Sequence, residues 1–144
     1  MIKVLFVCHG NICRSPMAEF VLRDMAKKAG VEGQLQIASA AVSREELGNP
    51  VYPPARRELA RHGISCDGKY ARQITRADLD LYDRIYYMDR NNVRYLQRMF
   101  PDAGAPWQLF LERDVADPWY TGDFGQTWQD IVEGCSRILK ELCE

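Results

Sequence analysis

The chain has 144 residues, 47% of them hydrophobic and 27% charged, with a formal net charge of −1. That is enough for one domain with its own core, and it lacks the global basic field that a nucleic-acid partner would call for. No apolar run approaches the roughly 20 residues of a membrane span, and the apolar start Met1–Cys8 is too short for a signal peptide and soon meets Arg14 and Glu19. Five cysteines, an odd number without scaffold-like spacing, fit free thiols in a reducing cytosol, so a cytoplasmic protein is expected. Two histidines and no paired C-x2-C elements give zinc little support.

Along the chain, strand-like and helix-like patterns alternate. Val4–Val7 is a continuous apolar run, as in a strand buried on both faces. Ser15 can cap the next element, Pro16 suits a first helical position, and Met17, Phe20, Val21 and Met25 share one face before Gly30. Gln36–Ser39 reads as a second strand, and Pro53–Arg61 as a helix stopped at His62-Gly63. Arg84–Met88 is a third strand, Asn92–Met99 a helix, and Gln108–Leu111 a fourth strand. Trp128–Cys143 closes the chain as a helix with Ile131, Cys135, Ile138 and Leu142 on one face. This alternation predicts one small α/β domain around a parallel sheet. Sites in such sheets form where strand ends feed helix starts, and Cys8 to Ser15 is the first such junction.

The segment Cys8-His9-Gly10-Asn11-Ile12-Cys13-Arg14-Ser15-Pro16 leaves a buried strand and opens a helix. Its length lets it wrap into a semicircle of inward-facing N–H groups, and Gly10 and Asn11 tolerate the left-handed backbone such a curl needs. The positive end of the following helix adds to that nest of donors. A phosphate fits there, with Arg14 closing over it through two parallel hydrogen bonds. The same field favours a thiolate at Cys8, with Ser15 placed to donate to its sulfur. A buried structural thiol is the plain alternative for Cys8. Spacing alone decides nothing, since Cys66 to Arg72 also satisfies C-x5-R; that copy follows no apolar strand and is read as coincidence.

Val7 through Glu19 resembles the signature of the low-molecular-weight protein tyrosine phosphatases. The likeness continues at Ser39-Ala40-Ala41, Gly48-Asn49-Pro50, Arg61-His62-Gly63-Ile64, Ala71-Arg72-Gln73-Ile74-Thr75, Met88-Asp89 and Asp117-Pro118-Trp119-Tyr120. The resemblance implies a four-stranded parallel sheet flanked by helices, with the Cys loop after the first strand. It also implies a phosphotyrosine-containing protein as substrate, no metal or organic cofactor, and a monomer. Asp117 matches the family's general acid, although an Asp-Pro pair taken alone reads as a surface turn. Pro118 restricts the backbone there, and the neighbouring aromatics are expected to lower local polarity and hold the acid protonated. The implied reaction is attack by Cys8 on phosphorus while Asp117 protonates the leaving oxygen, then hydrolysis of a phosphocysteine, with Arg14 and loop amides stabilising the equatorial oxygens.

By the same resemblance His9, Gly10, Asn11, Ile12, Cys13 and Ser15 contribute to the substrate loop, and Trp119 and Tyr120 form an aromatic lip. Asp89 and Asn11 read as supports of the loop, and Cys13 either traps oxidised Cys8 as a disulfide or merely fills space. Two departures stand out. Lys69 occupies a position where many relatives carry His, and Glu45, followed by Glu46, stands where an aromatic usually reaches the cleft mouth. An arsenate reductase is disfavoured because no cysteine lies between Cys66 and Cys135. An arginine phosphatase is disfavoured by Ile12, where members with that activity carry Thr. A phosphopeptide-binding module without catalysis would have no need of Cys8, Arg14 and Asp117 together.

Overall fold

The computed structural model describes residues 1–143. Strand β1, Ile2–Cys8, sits second in a four-stranded sheet of order β2-β1-β3-β4, with β2 at Leu35–Ala41, β3 at Arg84–Tyr87 and β4 at Trp107–Leu109. Every pairing is parallel, and the register sets Ile2 beside Leu35 and Cys8 beside Ala41. Alternate β1 residues serve two cores, which is why this run carries no polar alternation. Val4, Phe6 and Cys8 join one cluster with Met17, Leu22, Ile131 and Ile138; Leu5 and Val7 join the other with Ile85, Leu96 and Phe100.

Helices α1 (Arg14–Lys28) and α6 (Phe124–Leu142) supply the first of these layers, and α4 (Arg90–Met99) supplies the second. Helix α2 (Pro53–Arg61) keeps the expected bounds and ends where Gly63 adopts φ 76°. Three elements lie outside the sequence expectations: a 3-10 turn at Glu32–Gln34, α3 at Arg76–Leu81 and α5 at Pro118–Thr121. Helix α6 starts four residues before Trp128, because Asp123 accepts from the Gln126 N–H and caps it there.

One expectation at the central junction fails. Ser15 does not cap α1: the helix begins at Arg14, Cys13 holds the cap position without a side-chain bond, and Ser15 is already helical. Its hydroxyl turns toward Cys8 instead. In the sheet order β2-β1-β3-β4 the chain leaves β1 to either side. Cys8 therefore ends its strand at the point where neighbouring connections diverge and leave a crevice.

Candidate active site

The loop between β1 and α1 is held from outside by its carbonyls. Those of Cys8, His9 and Ile12 accept from the N–H groups of Val42, Ser43 and Tyr52, at 3.0, 3.0 and 2.9 Å. With its oxygens engaged outward, the curl turns its N–H edge inward. Asn11 takes the left-handed turn alone, at φ 60°. Gly10 does not share it, contrary to expectation; its lack of a side chain serves a close approach, since a Cβ there would lie 3.1 Å from Cγ of Glu46.

Cys8 Sγ lies 3.0 Å from Ser15 Oγ and 3.4 Å from the Ser15 N–H at the start of α1. The sulfur thus faces the positive end of a helix. Arg14 is the first helical residue, and its guanidinium is almost wholly buried. Nη1 donates to Asp89 at 2.6 Å and to the Val115 carbonyl at 2.9 Å, while Nη2 approaches Asp117 Oδ2 at 3.3 Å. Burial works against its charge, but Cys8, Asp117 and Asp89 outweigh it and raise the Arg14 pKa above its ordinary value. The Nε–H has no protein partner among the described residues. Asp89 is itself locked by a capping box, in which it and Asn92 exchange side-chain-to-backbone bonds at the head of α4.

Asp117 caps α5 by accepting from the Trp119 N–H at 3.0 Å. Contrary to the sequence expectation, Trp119 and Tyr120 do not seal it from water, because they stand exposed at the rim. Trp119 is braced by Tyr52, with ring centroids 4.8 Å apart, and Tyr52 in turn meets Phe124. No local motif marks Tyr52 as part of the site; it comes near only through a fold-back of the 42–52 segment, which also carries Glu45 and Glu46 to the cleft.

A cleft of about 140 Å³ gathers these groups. Cys8, His9, Gly10, Ile12, Cys13 and Arg14 line it from the loop between β1 and α1, and Asp117, Trp119 and Tyr120 line it from the start of α5. Glu45 and Glu46 stand at its mouth, with Glu45 2.5 Å from His9 Nε2 and Glu46 holding the Asn49 amide at 2.6 Å. Asn11 and Ser15 do not line the cleft; they lie beneath the loop as supports. The second C-x5-R stretch makes no such bowl, because the Arg72 guanidinium is bound to Asp78. Among the described residues no three His, Cys, Asp or Glu side chains are grouped to hold a metal ion.

Residues 3–144 match the family model described as low molecular weight phosphotyrosine protein phosphatase. The chain belongs to that family. It is 42% identical to the low molecular weight protein-tyrosine-phosphatase YfkJ of Bacillus subtilis, over 99% of this chain and 96% of YfkJ. The crystal structure of YfkJ superposes with a TM-score of 0.93, covering 99% of this chain and 94% of that one. The low molecular weight protein tyrosine phosphatase SP-PTP of Streptococcus pyogenes also gives 0.93, at 40% identity and with 100% and 95% of the two chains covered. A Drosophila arginine phosphatase structure matches at 28% identity with a TM-score of 0.88, covering 99% of each chain.

Proposed function

We propose that this protein is a cytoplasmic protein-tyrosine phosphatase that works as a monomer through a phosphocysteine intermediate, with Cys8 as nucleophile, Arg14 as phosphate clamp and Asp117 as general acid. The observation that carries the reading is the convergence of Cys8, Arg14 and Asp117 on one cleft from β1, α1 and the head of α5. A phosphate in the bowl meets the loop amides and the unpartnered Nε–H of Arg14. As its oxygens engage the guanidinium they compete with Asp117, freeing that carboxyl to serve the leaving oxygen.

In the first step the Cys8 thiolate forms an S–P bond as the P–O bond breaks, and Asp117 gives its proton to the departing phenolate. In the second, Asp117 takes a proton from water, whose oxygen attacks phosphorus and releases the thiolate and phosphate. The apolar side chain of Ile12 on the cleft wall offers a surface to a phenyl ring, which favours phosphotyrosine over phosphoarginine. Turnover of p-nitrophenyl phosphate beside a phosphoarginine peptide, in excess chelator, tests the assignment. Turnover of the phosphoarginine peptide alone overturns it. The five cysteines, all unpaired, suit a reducing cytosol.

Cys13 lines the same cleft as Cys8, and burial pushes its thiol well above the ordinary range, so it stays protonated where Cys8 reacts. Peroxide should convert Cys8 to the sulfenic acid, which Cys13 captures as a disulfide with loss of water. Mild oxidation is expected to inactivate reversibly, with the Cys8–Cys13 disulfide found by peptide mapping. Equal recovery of Cys13→Ser and wild type after thiol addition would count against the protective role.

Glu45 and Glu46 give the mouth a negative edge opposite the aromatic lip. Phosphotyrosine peptides with Lys or Arg beside the phosphate should be preferred over acidic ones by no more than about fivefold, fading with salt, as befits an exposed charge. Comparison of kcat/KM for the two peptide classes in wild type and Glu45→Tyr measures this. An unchanged ratio in the variant removes Glu45 from substrate choice.

A further inference from the structure

Beside the active-site cleft lies a second cavity of about 480 Å³, and the two share His9, Arg14, Asp117 and Tyr120 as lining residues. The rest of its lining comes from the first turns of α4, through Asn91, Asn92 and Tyr95, and from the segment between β4 and α5, through Asp114. Neighbouring residues of an extended peptide stand about 3.8 Å apart along the chain. A side chain flanking a phosphotyrosine in the cleft is therefore within reach of this second space.

The charges that line it do not cancel. Asp89 and Asp117 are both answered by Arg14, at 2.6 and 3.3 Å. Asp114 accepts from the Arg90 N–H at 3.2 Å, and no cation is paired with it among the described residues. The arginines around it are occupied elsewhere: Arg113 turns to Asp130 and Glu133, Arg94 donates to Asn91, and Arg98 lies over the Tyr95 ring. A phosphate in the bowl draws on the guanidinium of Arg14 and leaves the cavity more negative still.

Asn92 adds a separate signal. It is 1% exposed, and its Oδ1 accepts from the Met88 and Asp89 N–H groups at 3.0 and 3.1 Å. Its Nδ2, on a residue that lines this cavity, has no partner among the described residues. A buried donor without an acceptor is costly, and an arriving carbonyl would relieve it. The head of α4 does not call for an anion, since Asp89 caps it and Asp114 already serves the Arg90 N–H. The cavity thus asks for a positive charge together with a neutral acceptor. A Lys or Arg residue of a peptide brings both, the second as its main-chain carbonyl. Tyr95, its ring centroid 5.4 Å from that of His9, offers an aromatic surface to the methylene stem.

We propose that this cavity is a substrate subsite that receives a Lys or Arg side chain flanking the phosphotyrosine on one side, with Asp114 as the residue that selects it. This rests on the tyrosine-phosphatase reading and narrows the substrate class within it. The negative edge at Glu45 and Glu46 acts differently, as a screened field on either flank, and Glu45 is already paired with His9 at 2.5 Å. A cavity that takes one side chain acts at one position of the peptide.

Phosphotyrosine peptides carrying arginine, or its uncharged isostere citrulline, at each position on either flank test this. At low salt kcat/KM for arginine should exceed that for citrulline about three- to fivefold at a single position, the range open to a partly exposed ion pair. Asp114→Asn should bring that ratio close to one and leave the ratios at other positions as they are. The asparagine oxygen still accepts from the Arg90 N–H, so the head of α4 is kept. Asp114→Lys should reverse the preference at that position, favouring glutamate over glutamine. Each ratio compares two peptides on one protein, so a general loss of activity in a variant cancels. An arginine preference that survives Asp114→Asn, that is equal on both flanks, or that is missing from the wild type at low salt overturns the subsite. Hydrolysis of phosphoarginine with no turnover of any phosphotyrosine peptide would instead take down the tyrosine-phosphatase reading itself.

Discussion

Cys8→Ser should reduce turnover of aryl phosphates by on the order of 10⁴-fold or more while leaving phosphate binding largely intact. An alcohol at neutral pH is a far weaker nucleophile than a thiolate, and among the described residues the hydrogen-bond partner of the Cys8 side chain is Ser15, which is no base. Ser15 Oγ, the polar group nearest the sulfur, is committed as acceptor from Asn11. The loop proposed to hold phosphate is secured by the Cys8, His9 and Ile12 carbonyls and by the Arg14–Asp89 pair, none of which uses the sulfur. The substitution is close in size within a buried strand end, so folding should survive. Steady-state kinetics and calorimetric titration with phosphate or vanadate give the two readings. Near-wild-type turnover in the variant would remove Cys8 from the mechanism, and lost affinity with an intact melting profile would show that the sulfur itself shapes the bowl.

The Cys8–Arg14 loop is legible in the sequence because its signals are local: an apolar strand, two turn-tolerant residues and a helix start within a dozen positions. What orients Arg14 is not, since its partners Asp89 and Val115 lie 75 and 101 residues away in sequence. Ser15 misleads because a serine before proline at a helix start has the composition of a cap, and only the third dimension brings Cys8 within reach of its hydroxyl. Lys69 stands out as a departure, yet nothing in the chain says that its amine reaches Ser39 and Glu19.

Among the elements outside the sequence expectations the causes differ. Helix α3 carries a capping box readable as Thr75-x-x-Asp78, but at six residues it has too little apolar period to register. The α5 turn is announced by Asp117 as cap and Pro118 at the first helical position. The same two residues suit a surface turn equally well, and packing beside Tyr52 decides between them. Early residues of α6 include Gly125, Gln126 and Thr127, which dilute the helical pattern and hide the cap at Asp123.

Asp117→Asn should slow the enzyme by about 10²- to 10³-fold on substrates with poor leaving groups and much less on those with good ones, within the usual range for a positioned acid. A phenolate of high basicity accumulates charge on oxygen as the P–O bond breaks and needs the proton then; an activated phenolate departs without it. The asparagine keeps the α5 cap, since its side-chain oxygen can still accept from the Trp119 N–H, so the lip should hold its place. It also removes a negative charge 3.3 Å from Arg14 Nη2, leaving that donor freer for phosphate. Affinity for phosphate should therefore hold or rise while kcat falls, a split that a merely structural lesion would not produce. A series of aryl phosphates graded by phenol acidity gives the slope of log kcat against leaving-group acidity, which should steepen in the variant. Parallel lines for variant and wild type would show that Asp117 is not the proton donor and would return the search to the other acids of the cleft, Glu45 and Glu46.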